Sequence, residues 1–368
     1  MTQIRDDEEG TQQQYSTLEA WNVREADFPK DSRLSEKMNF LLRYAILAPS
    51  GHNTQPWLFK IVGNNNVIEV YADRSRALPL VDPDDRELII SCGAALYHLR
   101  LAANHFGIAD EVQLLPDKNN NLDLLARISL KEDDDDNKGT IKKQAERDAP
   151  LFEAITKRRS NRSSFENRRL PDDLLPSLKD SASANGAWLD VIDDDEDKKN
   201  ILADLISQGD RIQLSDKRFR RELAAWIHPN RSKSQDGMPG YAHGMTRDIA
   251  SHLGPFLIRT FDIGKGQAAK DKELASGSPV LAVLGTDADE PLNWIQTGQA
   301  LERILLQARA KNVWTTFMNQ PIEVPELRPK LLQVLGKAAG FPQLLMRMGY
   351  GKEVKPTPRR EIEDVIAK

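Results

Sequence analysis

Two apolar helical stretches in this chain carry the same residues 205 positions apart. Gly93, Ala95, Leu96, Leu99, Leu101 and Ala103 align with Gly298, Ala300, Leu301, Ile304, Leu306 and Ala308 at one constant shift. Any two amphipathic helices share an apolar period, so three matches would mean little. Six in register, a glycine among them, point to a duplication. Each helix is preceded by an apolar strand-like run and followed by another. Glycine inside a helix is costly unless a second backbone comes close, so Gly93 and Gly298 predict a tight helix contact. The 368 residues suffice for one large core or two ordinary ones.

The first copy begins with a helical pattern over Glu36–Ala48, in which Met38, Leu41, Leu42, Ala45 and Ile46 form one apolar face. Pro49 stops it, because the residue before a proline is pushed out of helical geometry. Trp57–Val62 and Val67–Ala72 read as a hairpin across Asn64–Asn66. A helix is predicted over Arg86–Phe106 and strands over Val112–Leu115 and Leu124–Leu130. Lys131–Lys143 is strongly polar, with Asp133–Asp136 consecutive, and reads as a solvated linker. The organisation expected is an arm over residues 1–33, a first half over 34–143 and a second half over 144–368. In the second half helices are expected at Leu151–Lys157, Pro171–Ser183, Asp193–Arg211, Arg218–Trp226, Met245–Phe261, Leu292–Ala310 and Pro325–Leu335. Strands are expected at Trp188–Ile192, Val280–Leu284, Val313–Phe317 and Leu344–Met348. His228–Gly244 is a long loop of the kind that serves as a lid.

The formal net charge of −5 argues against nucleic acid or a membrane surface as the main partner. One cysteine, Cys92, excludes a disulfide framework. The polar start of the chain is no secretory signal, and no apolar run is long enough to span a bilayer. The expectation is a cytoplasmic protein. No His-Glu-x-x-His, Cys-x-x-Cys, Gly-x-Ser-x-Gly or Walker A run occurs, so no metal site and no side-chain nucleophile is nominated.

Two motifs carry chemistry. Pro49-Ser50-Gly51-His52-Asn53-Thr54-Gln55-Pro56-Trp57 links the first helix to the first strand, and its side-chain amides and free N–H groups suit a flat polar ligand. Arg158-Arg159-Ser160-Asn161-Arg162 places three arginines and a hydroxyl in five residues. Arginine forks bind phosphate oxygens in pairs, although cations at a helix end need no ligand.

The first run resembles the flavin-contacting loop of the nitroreductase family, Pro-Ser-x-x-Asn-x-Gln-Pro-Trp. The second resembles the Arg-Arg-Ser-x-Arg signature that opens a nitroreductase domain. The tandem arrangement resembles the Acg-type group of that family. The resemblance implies an α+β fold of two nitroreductase-like sandwich halves packed as a pseudo-dimer, with a lid at about 226–261. It implies one FMN between the halves. Pro49, Ser50, His52, Asn53 and Gln55 would lie at the ring, with Arg158, Arg159, Ser160 and Arg162 at the ribityl chain and phosphate. Arg359 and Arg360 would close over the phosphate, and Thr315 and Thr316 would lie along the flavin, where a backbone N–H could face N5. The loop is worn in the second half, where Asp180, Gly186 and Ala187 stand for Pro49, Gln55 and Pro56. No Arg-Arg-Ser precedes the first. Each half keeps what the other lacks, so one composite site per chain is expected.

Two functions are implied. One is a ping-pong flavin reductase that passes electrons from NAD(P)H to a nitroaromatic or quinone, with no side-chain acid or base required. The other is a quiet protein that holds FMN under a closed lid. The partners implied are thus small molecules, NAD(P)H and an electron acceptor, and the chain would act as a monomeric pseudo-dimer.

Overall fold

The computed structural model describes residues 17–62, 66–132 and 138–367. In the first half, α1 (Leu34–Ala45) precedes β1 (Trp57–Val62), β2 (Val67–Ala72), α2 (Arg86–His105), β3 (Ile108–Leu114) and β4 (Leu124–Glu132). The second half runs α3 (Lys138–Ile155), α4 (Leu174–Ser183), β5 (Trp188–Ile192), α5 (Glu196–Ser215), α6 (Lys217–Ala225), β6 (Ile227–His228), β7 (Met238–Pro239), α7 (Asp248–Thr260) and α8 (Gly264–Ser276). It ends with β8 (Val280–Thr286), α9 (Pro291–Ala310), β9 (Trp314–Phe317), α10 (Gln320–Glu323), α11 (Arg328–Val334), β10 (Phe341–Gly349) and α12 (Ile362–Val365).

The duplication is visible in the sheets. The first is ordered β1-β2-β4-β3 and the second β5-β8-β10-β9, which is the same order when strands are matched along the chain. All these pairings are antiparallel. In each half the second and third strands are joined through the repeated helix, α2 or α9. Those two helices meet at their glycines. A Cβ on Gly93 would lie 2.3 Å from the Ile295 carbonyl oxygen, and one on Gly298 would lie 2.1 Å from that of Ile90. Ile90 and Ile295 are again 205 residues apart, so the contact is reciprocal.

The polar neighbours of this crossing obey the same relation but have diverged. His98 Nε2 lies 2.7 Å from Glu302 Oε1, while Arg303 donates to the Tyr97 hydroxyl at 3.0 Å. Positions 98 and 303 correspond, as do 97 and 302. His98 and Glu302 are fully buried, where an unpartnered polar group costs several kcal/mol, roughly 2–7.

β8 is buried along its whole length. Val280, Ala282 and Leu284 face the large core that contains α2 and α9, while Leu281 and Val283 face a smaller core under α5. That explains a continuous apolar run in an antiparallel strand, which usually alternates.

Several elements differ from the sequence expectation. α1 is regular only to Ala45 and closes through turns at Ile46 and Leu47. The short helix at 151–157 is the end of the longer α3, which carries Pro150 inside it and runs across the 143/144 boundary. Asp133–Asp136 lie outside the described residues. α8 was not expected, because its sequence has no broad apolar stripe; it buries little more than Ala268 and Ala275. Pro325–Leu335 resolves into α11, with α10 before it. The 228–244 segment contains β6 and β7, paired parallel. No helix among the described residues is long and apolar enough to cross a membrane.

Two second-half segments fold back over the first half. Asn53 and Gly237 exchange hydrogen bonds, Gly237 N to Asn53 O at 3.1 Å and Asn53 Nδ2 to Gly237 O at 2.8 Å. The C-terminal tail reaches β1, where Ala367 N donates to Phe59 O at 2.8 Å.

Gly298→Val is expected to lower unfolding free energy by about 3 kcal/mol or more, through overpacking against backbone that cannot yield. Urea unfolding followed by far-ultraviolet dichroism measures it, with Gly139→Val, which meets nothing within 4 Å, as the comparison.

Candidate active site

The loop after α1 is wound tightly. His52, Asn53 and Gln55 have φ of 48°, 56° and 52°, a left-handed geometry that is uncommon outside glycine and asparagine. Such backbone persists only where its surroundings fix it, and it clusters at functional sites. Here the fixing contacts are visible. Ser50 Oγ accepts from Gln55 N at 2.9 Å, and Gln55 Nε2 donates to Gln235 O at 2.9 Å. Arg76 pairs with Asp236 on the same segment.

This loop forms one wall of a cavity of about 1200 Å³. Other walls come from the Arg158–Arg162 turn, the end of β9, the 226–261 segment, the C-terminal tail and Trp21. Both halves of the chain therefore contribute. Of the residues nominated from sequence, Pro49, Ser50, His52, Asn53, Arg158, Arg159, Ser160, Arg162, Thr316 and Arg359 line it.

Gln55, Thr315 and Arg360 do not. Gln55 is fully buried behind the wall, and its Oε1 accepts from Arg360 N at 2.8 Å. Thr315 is held in β9, opposite Met348, and its carbonyl accepts from Asn161 N at 3.1 Å. Arg360 braces the loop from outside, donating to Gln55 O at 3.1 Å and lying 3.7 Å from Asp73. Asn53 reaches the wall with its amide already committed. Nδ2 donates to Gly237 O and to Pro358 O (3.1 Å), and Oδ1 accepts from Arg359 at 2.8 Å. It ties the loop to the covering segment and to the tail.

One pole of the cavity is cationic. Arg158 donates to Leu47 O at 3.0 Å and its Nε lies 3.3 Å from Glu302. Arg359 donates to the carbonyls of Leu47 and Ala48, both at 3.2 Å. Both guanidinium groups gather at the carboxyl end of α1, where the helix dipole favours them. Arg159 stacks 3.7 Å over Trp21 and Arg359 lies 4.7 Å from the same ring. Arg162 has only a 3.6 Å contact to Met238 Sδ, and Arg347 donates to the carbonyls of Asn161 and Ser163. Among the described residues Arg159, Arg162, Arg347 and Arg359 have no carboxylate partner, and Nε of Arg359 and Nε and Nη1 of Arg347 have no hydrogen bond. Burial, and then the neighbouring Arg158, push Arg159 down to about 9; Arg359 is lowered by burial and by Arg158 and Arg159. Burial works against Glu302, but His98 and Arg158 hold its carboxyl below the usual range.

The other pole carries carboxyl groups. Burial, and then Asp271, push Asp210 up to about 7, and burial with Glu87 pushes Glu323 up to about 8. His52 and His243 also line the cavity, lowered by burial and by Arg162 to about 4 and about 3. Both are therefore neutral imidazoles at pH 7. His52 Nε2 has no partner. Among the described residues no group of three or more His, Cys, Asp or Glu side chains is arranged to hold a metal ion.

Sequence reasoning missed Arg347, Tyr241, His243, Asp210, Asp271 and Glu323, all of which line the cavity. Asp210 stands on an amphipathic helix where it reads as a solvated residue, and Asp271 lies on the unexpected α8. Nothing local distinguishes either from a surface aspartate.

Asp210 and Glu323 keep a proton in the folded chain that the unfolded chain releases near pH 4. Their contribution to stability therefore falls as pH rises from about 4 to 8. His52 and His243 act oppositely and lower, because the unfolded chain takes up protons below about pH 6.5 that the folded chain refuses. Above that value only the carboxyls contribute. The protein is expected to lose thermal stability between pH 6.5 and 8, and Asp210→Asn to flatten that decline; melts across the range measure it.

No family model matches the chain. Its relatives include the protein named "Putative NAD(P)H nitroreductase Rv3131" of Mycobacterium tuberculosis, 29% identical over 338 residues that make up 90% of this chain and 91% of that one. "Putative NAD(P)H nitroreductase acg" of the same organism is 28% identical over 331 residues, 88% of this chain and 93% of that one. Among solved structures, the FMN-dependent nitroreductase NfnB of Mycobacterium smegmatis in complex with NADPH overlays 59% of this chain and 96% of its own, at 14% identity and a TM-score of 0.37. Along about nine-tenths of its length the chain is thus similar to proteins named as nitroreductases, Acg among them.

Proposed function

We propose that the cavity holds one FMN and that the chain is an NAD(P)H-dependent flavin reductase for nitroaromatic or quinone-like acceptors. The observation that carries this reading is the cationic pole. Buried guanidinium groups crowd together there around one carboxylate, Glu302, which His98 and Arg158 already engage, and the surplus of like charge out of water calls for an anion. A phosphate monoester, roughly doubly negative near neutral pH, suits them, and its oxygens accept the N–H groups that have no other partner. Arg159 and Arg359 would hold the phosphate, with Arg158 behind them and Trp21 shielding them from water. Ser50, His52, Ser160, Arg162 and the Thr316 region are the groups left for the ring and the ribityl chain. His52 presents an unpartnered Nε2. The cavity also exceeds the usual 300–1,000 Å³ or so of a small-molecule site, which leaves space for a second reactant.

When bound, the flavin supplies the two-electron chemistry, accepting a hydride from reduced nicotinamide and passing electrons to an acceptor. The chain's own part is to fix, neutralise and cover. The 226–261 segment covers, and its bonds to Asn53 and Gln55 favour a second reading in which FMN is stored with little turnover. These are short, direct bonds between the cover and the loop itself.

The absorption spectrum of the purified protein, then its response to NADPH with and without a nitroaromatic, tests both readings. Flavin bands that bleach and recover are expected of the reductase; bands inert to both reagents indicate storage, and a colourless protein that binds no added FMN overturns both. Arg159→Ala is expected to weaken FMN binding about 10- to 100-fold, the loss of one charge-assisted contact of about 1.5–3 kcal/mol. Fluorescence titration of the flavin-free variant measures it, and unchanged affinity removes Arg159 from the site.

A further inference from the structure

We propose that Asp210 and Asp271 share a single proton and give it to the acceptor that is reduced in the cavity. This rests on the reductase reading and adds the proton source that the reading lacks.

Asp210 projects from α5 and Asp271 from α8, and both line the cavity. They are 4% and 8% exposed. One amide bridges them: Gln320 Nε2 donates to Asp210 Oδ1 at 3.1 Å and to Asp271 Oδ2 at 3.2 Å. Gln267 Nε2 adds a second donor to Asp271 Oδ2 at 3.0 Å. Those two oxygens are therefore acceptors. Asp210 Oδ2 is left without a hydrogen-bond partner in a buried place, and the shared Gln320 amide sets the two carboxyls side by side. Among the described residues neither has an ion-pair partner. Two adjacent carboxylates without a cation cannot both ionise cheaply, so they hold one proton between them.

The surrounding charges fit that state. Lys270 of α8, Arg347 of β10 and Arg162 act on Asp271 only at longer range. Glu323 of α10 is hydrogen-bonded by Gln213 at 2.6 Å and lies beside Glu87. On the other elements packed against α5, Arg220 of α6 is spent on the Leu214 and Ser215 carbonyls, and Arg328 of α11 on Asp289. Asp204 of α5 and Lys272 of α8 pair nearer the surface.

The chemistry needs such a donor. Quinone, NAD(P)H and one proton give hydroquinone and NAD(P)⁺. The nicotinamide supplies the electron pair as hydride. The second hydroxyl hydrogen comes from the aspartate pair: the carboxyl O–H bond breaks, its electrons stay on the carboxylate, and a quinone O–H bond forms. Water then returns a proton to the pair.

Two measurements on Asp210→Asn and Asp271→Asn test this. In the flavin-free protein at pH 6, infrared spectroscopy is expected to find a protonated-carboxyl band in wild type that Asp210→Asn diminishes. In the flavin-loaded protein, stopped-flow reoxidation by 1,4-benzoquinone is expected to slow on the order of 10²-fold in either variant and to lose its solvent isotope effect. Bleaching by NADPH is expected to stay within about twofold, a split that a merely structural defect would not produce. A yellow Asp210→Asn protein that reoxidises at the wild-type rate, or a wild type without the band, overturns the proton pair alone. A wild type that binds no FMN overturns the reductase reading and the proton transfer with it.

Discussion

The contact between α2 and α9 is the constraint on which the rest of the molecule rests. At Gly93 and Gly298 two helix backbones approach so closely that a single methyl group on either would collide with a carbonyl oxygen of the other. Glycine is unfavourable in a helix by about 1 kcal/mol, and both positions accept that cost. The return is a seam from which two like halves face each other. It is a reciprocal contact of the kind a two-fold dimer makes, here enclosed within one polypeptide.

A duplicated chain is free to let its copies diverge, and the seam records it. His98–Glu302 and Tyr97–Arg303 occupy matched positions with different chemistry. Glu302 lies 3.3 Å from Arg158, at the cationic pole, whereas Arg303 meets Ser181 and Asp148. The asymmetry thus runs from the helix seam to the cavity wall. On one side the Pro49–Trp57 loop, the Arg158–Arg162 turn and the tail come together. A symmetric dimer would need every part of the site in every copy, while a fused one needs each part once.

Much of this was legible in the sequence, because it depends on local chemistry. The hairpin, the two long helices and β8 follow from apolar period alone. The loop and arginine motifs were found through their resemblance to a family, and ten of the thirteen residues nominated through that resemblance line one cavity. What stayed hidden has physical reasons. Asn53 and Gln55 carry the amides expected at a ligand, but the covering segment and tail reach them first, and a sequence does not show which partner wins. Arg158 and Arg359 stand at a helix terminus and also line the cavity, and the same guanidinium groups serve both places. Asp210 and Asp271 lie 61 positions apart on two helices, one of them almost without apolar residues, so only the packing of α5 on α8 brings them together.

The central claim is that one polypeptide supplies both faces of a single flavin cavity. Titrating the flavin-free protein with FMN, on a sample whose mass is fixed by analytical ultracentrifugation, tests it most directly. The account predicts saturation at one FMN per chain on a particle of one chain, 41.5 kDa. Saturation at two per chain, or at one only when two chains associate, would contradict it.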